Sequence, residues 1–301
     1  MQCFYASRDP HKAAAFEEGL GGAGSFGSYD AALADGRMDV AFVATPPPSH
    51  LALTLAALDS GKDVIVEKPA FLRTVDFEAV HAAQKRSGRR VMVAENYCYK
   101  PLARTLGEVL ASGAIGEPRF IQVNALKAQC GSGWRGNAAE TGGGALFEGG
   151  IHWVDLIAHL GPKVRSVRVV RAGHGGPERS SVVLFEYDGG AVGTLTHSWE
   201  TPSRLSGLQL SRISGTQGSI VFESNGLFVL APSRLILPGF ADLSGYDAML
   251  RDFVGALESG REPLMTLDRA QRDQEMIENA YWEPPAVKPC VTTRSSSAAY
   301  P

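Results

Sequence analysis

The chain has 301 residues, 44% hydrophobic and 20% charged, with a net charge of −3 and a sequence pI near 6.2. That length accommodates two domains with cores of their own, and a slightly acidic balance recommends neither nucleic acid nor an anionic membrane as a partner. No apolar run reaches the length of a membrane span, and the first residues lack the basic and apolar regions of a signal peptide. The four cysteines (Cys3, Cys98, Cys130 and Cys290) form no CxxC pair, so they read as reduced thiols of a cytoplasmic protein.

In chain order, Cys3 to Ala6 reads as a strand, and Asp9-Pro10 as a helix start with proline in the first turn. A helix follows from His11 to Leu20. Gly22 to Gly27 is a literal G-x-G-x-x-G, but it follows a helix and precedes only a brief one, Asp30 to Ala34. A dinucleotide fingerprint must follow a strand and open a long helix, so this run is expected to be a flexible loop. Asp39 to Ala44 is expected to be a buried strand, Thr45 to His50 a tight turn, and Leu51 to Ser60 a helix closed by Gly61. Asp63 to Glu67 is a short strand, followed by a helix over Thr74 to Ser87 and a strand over Arg90 to Ala94. Alternation at this spacing implies right-handed parallel crossovers. A further helix after Pro101 ends near Gly113.

From Pro118 the pattern changes to alternating segments. Strands are expected over 119–126, 164–171, 181–187, 192–199, 208–214 and 219–222, with a hairpin at Asp188-Gly189-Gly190. One helix interrupts around Gly149 to Leu160, and two more, Tyr246 to Glu258 and Leu267 to Tyr281, close the fold. The expected architecture is a parallel α/β domain over 1–118, an α+β domain with a large, mostly antiparallel open sheet over 119–283, and a loose tail over 284–301.

Chemistry collects in two places. The strand at 63–67 delivers Glu67-Lys68-Pro69 to its carboxyl end, where open parallel sheets bind ligands. In the second half, Gly142-Gly143-Gly144 leads into Glu148, His152 and Asp155, spaced to share one helix face. A carboxylate and an imidazole so placed can work as an acid–base pair; the run supplies no full metal-ligand set, so no metal is expected.

Thr45-Pro46 with His50, Glu67-Lys68-Pro69, Trp134-Arg135, and the glycine-rich run to His152 and Asp155 occur in an order and spacing that resembles the glucose–fructose oxidoreductase, inositol dehydrogenase and rhizopine-catabolism (Gfo/Idh/MocA) group. Gly215-Thr216-Gln217-Gly218 and the terminal helices extend the resemblance over about residues 1–282. It implies a dinucleotide-binding domain joined to an open-sheet substrate domain. The implied activity is hydride transfer between NAD(P) and a hydroxyl carbon of a sugar, cyclitol or related compound. By position, it makes Lys68 the motif lysine that contacts the substrate hydroxyl, and His152 the acid–base residue, with Glu148 the third catalytic group. Ser7, Arg8, Thr45, Pro46, His50 and Glu67 fall beside the cofactor, and Trp134, Arg135 and Asp155 on the substrate side. The Lys68–Pro69 bond is expected to be cis, and the open sheet face implies a homo-oligomer.

Two departures stand out. Glu148 replaces the family's aspartate. The family's opening strand, G-x-G-x-x-G turn and helix have no counterpart before Cys3, so the Rossmann-type sheet is expected to be N-terminally truncated and to lack its central strand. Ser7-Arg8 favours a 2′-phosphate and hence NADP over NAD, although Arg8 as a surface residue and Asp9 as the ribose acid stay open. Three readings compete: an NAD(P)-dependent oxidoreductase, a non-catalytic binding module of the same family, and an incomplete reading of a longer gene.

Overall fold

The computed structural model describes residues 2–129, 133–173, 177–202 and 207–282. The expected tail over 284–301, and Cys130 and Cys290, lie outside them. The first half alternates as its sequence implies. Strand β1 (Phe4–Ala6) leads to helix α1 (Pro10–Leu20), whose Asp9 cap accepts a 3.0 Å hydrogen bond from the His11 N–H. Next come β2 (Gly24–Phe26), α2 (Tyr29–Ala34), β3 (Val40–Val43), α3 (His50–Asp59), β4 (Asp63–Glu67), α4 (Asp76–Ser87) and β5 (Val91–Ala94).

The flexible loop expected at Gly22 to Gly27 is instead strand β2, parallel to β1 with Tyr5 opposite Ser25. A Cβ at Gly22 would come within 2.8 Å of the Tyr5 ring, so this glycine serves close packing. The parallel strands form two sheets, β1-β2 and β3-β4-β5, with no hydrogen-bonded ladder between them. That split explains a second difference. The strand at Val40–Val43, expected to be buried, has β4 on one side only and leaves Phe42 half exposed. The central β4 is buried at Val64, Ile65 and Val66, as its unbroken β-branched run requires.

Helix α5 (Pro101–Ala111) bridges to the second half, which holds the one-turn helix α6 (Ala138–Thr141) and an eight-stranded sheet of order β13-β12-β11-β10-β6-β9-β8-β7. Its strands are β6 (Pro118–Leu126), β7 (Val164–Ala172), β8 (Ser180–Tyr187), β9 (Val192–Ser198), β10 (Leu210–Gly215), β11 (Ser219–Glu223), β12 (Val229–Ala231) and β13 (Arg234–Ile236). Among the described residues of this sheet, only the β6–β9 pair is parallel. The three-residue strands β12 and β13 are too short for an alternation pattern to announce them.

Ile121, Val123, Phe185, Leu195 and Ile213 project from one face of this sheet into a core covered by α5, α7 (Ile151–Ala158) and α9 (Leu267–Trp282). The other face is open and carries exposed Phe120, Val182, Leu210 and Leu230. The first half has its own core, joined from the far end of the chain by Met249 and Phe253 of α8 (Tyr246–Ser259) and by Met265, Leu267 and Ala270. Burying a side chain such as Phe253 completely is worth about 2 kcal/mol, so the two halves are held together and the space between β4 and α7 is fixed. No helix among the described residues is long and apolar enough to cross a membrane.

Candidate active site

Lys68 leaves the carboxyl end of β4 ahead of a cis bond to Pro69. Its Nζ donates a 2.6 Å hydrogen bond to the Glu148 carbonyl and lies 3.6 Å from Glu148 Oε1. Glu148 sits in a wide π turn (Leu146–Gly150) that runs into α7, where a regular α turn was expected. Such turns recur at functional sites because they re-aim one residue of a helix. The turn is pinned at its start by Glu178, whose Oε1 and carbonyl accept from the Leu146 and Ala145 N–H groups at 2.6 and 2.9 Å. Glycine is required in this run by its neighbours: a Cβ on Gly144 would fall 1.5 Å from Glu178 Oε2, and one on Gly149 2.6 Å from the Trp199 ring.

His152, one residue into α7, is held by a group the sequence reading missed. Its Nδ1 lies 2.7 Å from Glu95 Oε1, and its ring stacks on Tyr97 with centroids 4.5 Å apart. Glu95 follows β5, and the β4–β5 register sets Glu67 opposite Ala94, so Lys68 and Glu95 are the next pair beyond the ladder. An acid directly after a buried strand adjacent to the lysine's strand was the signal that could have found it. Burial raises the Glu95 carboxyl, but His152, the Tyr97 N–H and Lys68 together outweigh it and hold the group below its ordinary value. With Nδ1 committed to Glu95, Nε2 is the imidazole atom left for a reacting proton. Lys68, Glu148, Glu95 and His152 thus form one cluster between the two halves.

His197 of β9 adds a further buried imidazole, pushed down to about 4 by burial and then by His152. Its unfolded value is near 6.5, so its contribution is full above about pH 6.5 and is lost as pH falls through about 4; the difference is worth about 3 kcal/mol. Chemical denaturation at stepped pH should therefore show stability dropping across that window, and His197→Gln should flatten the drop.

The remaining expected residues are placed as follows. His50 is buried, with Nε2 2.6 Å from the Thr45 carbonyl and Nδ1 3.0 Å from that of Pro69, so it ties the turn after β3 to the turn after β4. Thr45 accepts a hydrogen bond from Ser49, Pro46 precedes a 3-10 turn, and Glu67 Oε2 accepts from the Lys68 N–H. Ser7 accepts from the Asp9 N–H beyond β1, and Arg8 is exposed. Trp134 lies half-buried in a short turn, Gly133–Gly136; the side chain of Arg135 lies outside the described residues. Asp155 is fully buried and bound by Arg269, whose Nε and Nη2 reach its Oδ1 at 2.7 Å.

For a dinucleotide, these residues fit one end only. Lys68, His152 and the Thr45-Pro46 turn gather at strand carboxyl ends, suited to a nicotinamide and a substrate. A pyrophosphate needs several backbone N–H groups at a helix start. The start of α1 instead offers the Asp9 carboxylate and a proline, and the turn before α3 has three consecutive prolines without N–H groups. Neither of these two turns supplies that cradle.

Comparison with known proteins gives the family. Residues 3–95 match the profile of the oxidoreductase family NAD-binding Rossmann fold, and residues 103–221 that of the GFO/IDH/MocA C-terminal domain. The chain belongs to the Gfo/Idh/MocA oxidoreductase family. As a member it is an NAD(P)-dependent oxidoreductase. Among its relatives is D-xylose 1-dehydrogenase (NADP(+)) 2 of Haloferax volcanii, 26% identical over 92% of this chain and 87% of the relative. The trans-1,2-dihydrobenzene-1,2-diol dehydrogenase of Oryctolagus cuniculus is 31% identical over 71% of this chain and 64% of its own length. Among solved structures, GenD2 from gentamicin A biosynthesis in complex with NAD superposes with a TM-score of 0.79 at 26% identity, over 92% of this chain and 84% of that one.

Proposed function

We propose that the protein interconverts a secondary hydroxyl and a carbonyl on a sugar, cyclitol or related vicinal diol, with Lys68, His152 and Glu148 as its catalytic groups. The observation that carries this is the meeting of Lys68 from one half with Glu148 from the other, beside the His152–Glu95 pair. The nicotinamide, when bound, takes or gives the hydride. His152 Nε2 accepts the hydroxyl proton, held in place through Nδ1 by Glu95. Lys68 lies where its positive charge favours the developing alkoxide, and Glu148 fixes the lysine's direction. The names of the xylose and dihydrodiol dehydrogenases support the substrate class, and the apolar open face of the eight-stranded sheet supports a homo-oligomer.

The divided parallel sheet supports a finer statement. In the strand order 3-2-1-4-5-6, β1-β2 correspond to the pair 2 and 3, and β3-β4-β5 to strands 4, 5 and 6. The break falls where strand 1 and its glycine turn belong. The 301 residues by themselves therefore bind a dinucleotide poorly, which also gives a binding-module reading of this chain a physical basis. Titration with NADPH, followed by its fluorescence, should show no saturation with this chain and saturable binding once a preceding strand and glycine turn are supplied. Micromolar binding by the 301 residues would sink the statement. In the extended form NADP is preferred, and Arg8→Ala weakens NADPH more than NADH; equal loss of both would leave Arg8 as a general contact.

A further inference from the structure

The groups above leave a second buried polar cluster unused. Asp155 on α7 and His159 just past its end face Arg269, Asp273 and Gln274 of α9. His159 Nε2 lies 3.1 Å from Asp273 Oδ1, and Arg269 holds Asp155. Asp155, His159 and Asp273 have ligand atoms within 4.8 Å of one another, but a cation there would have to displace the guanidinium of Arg269. The cluster is better read by what lies between it and the active site. A cavity of about 10 Å³ is lined by Lys68, Glu95, Asp273 and Gln274, with apolar groups closing the rest. Glu95 Oε2, Asp273 Oδ2 and both polar side-chain atoms of Gln274 are buried with no hydrogen-bond partner, as is Asp155 Oδ2, whose carboxyl interacts with that of Asp273. A void of that size holds one water, and a buried water requires two to four polar partners. Here it has them. His159, at the other end, is partly exposed and lines a separate pocket of about 400 Å³ with Tyr99, Arg104 and Leu264.

The geometry points to this cavity as a water site that joins Glu95 to Asp273, so that Glu95, the water, Asp273 and His159 form a proton path from His152 to the second pocket. The inference rests on His152 as the acceptor of the hydroxyl proton. On oxidation, a bound nicotinamide would supply the hydride acceptor for the substrate C–H bond, and the O–H proton would go to His152 Nε2. His152 then passes its Nδ1 proton to Glu95 Oε1. The carboxyl turns about its Cγ–Cδ bond to hand that proton to the water, the water gives one of its own to Asp273, Asp273 turns likewise to pass it to His159 Nε2, and His159 releases its Nδ1 proton to solvent. Within the path nothing is oxidised or reduced.

A path of this kind gives the proton an exit while substrate and cofactor fill the cleft. The groups facing it are Lys68 and His152 at the near end, with Asp155, Arg269 and Arg272 around Asp273. Burial pushes Asp273 up to about 7, against Arg269, so it gains and loses a proton near neutral pH. Burial takes His159 down to about 4, which makes it quick to release a proton to water.

Two measurements test the path, and the first needs no activity. The imidazole titrations of His152 and His159 are followed by NMR in the unliganded protein, in wild type and in Asp273→Asn, with a crystal structure checked for a water bridging Glu95 Oε2 and Asp273 Oδ2. The bridging water is expected, as is a shifted His152 midpoint in the variant. A dry cavity and an unmoved His152 would overturn the inference whether or not a substrate is known. The second compares Asp273→Asn and the partly exposed His159→Gln in the active form. Turnover in dilute buffer should fall about tenfold with KM unchanged, and recover with added imidazole. Loss without rescue in both variants would make the cluster a structural clamp.

Discussion

Replacing Lys68 or His152 by alanine in a form that binds cofactor should lower turnover about 10²- to 10⁴-fold, the range set by losing an acid–base group. The two losses should be distinguishable. Lys68 also ties the end of β4 to the Glu148 carbonyl, so Lys68→Ala removes both an electrostatic group and a link between the halves. It should raise KM as well as lower kcat. His152 makes its hydrogen bond to Glu95 and stacks on Tyr97, and its loss should appear in kcat with little change in cofactor affinity. Steady-state kinetics of the two variants decides the assignment. Wild-type turnover in both would make the lysine and histidine structural.

Glu95→Gln should be nearly as damaging, with turnover falling about 10²-fold. The carboxylate sits below its ordinary value because His152, the Tyr97 N–H and Lys68 stabilise its charge against burial. An amide keeps the shape and loses the charge that favours the imidazolium formed when His152 takes a proton. The pH profile should therefore shift: the limb that reports His152 moves to lower pH in the variant. A profile that falls in height without moving would mean that Glu95 only fills space.

Much of this arrangement was legible in the sequence. Strand β4 was readable because three β-branched residues between Asp63 and Glu67 suit a strand buried on both faces, and Pro69 marks its end. The helix start at Asp9, the glycine stop at Gly61, and the period-two strands of the second half follow from local chemistry. What stayed hidden depends on distant partners. The run at Gly22 to Gly27 looks like a loop until α1 brings it beside β1, where glycine packs against Tyr5. Glu95 is an unremarkable acid until the β4–β5 register sets it beside Lys68, and His197 reaches the site only because β9 lies parallel to β6. Glu148 and His152 were readable as a pair from their spacing; the π turn that re-aims Glu148 depends on Glu178, thirty residues away in sequence.

An alcohol-oxidising centre made by the Lys68–Glu148 and His152–Glu95 pairs is tested most directly by turnover. Reduced-nicotinamide absorbance is followed while a panel of aldoses, cyclitols and vicinal diols is offered with NADP and with NAD to the cofactor-binding form, alongside His152→Ala. Turnover is expected on at least one such compound, with its loss by about 10²-fold or more in the variant. Equal turnover by wild type and His152→Ala would contradict it.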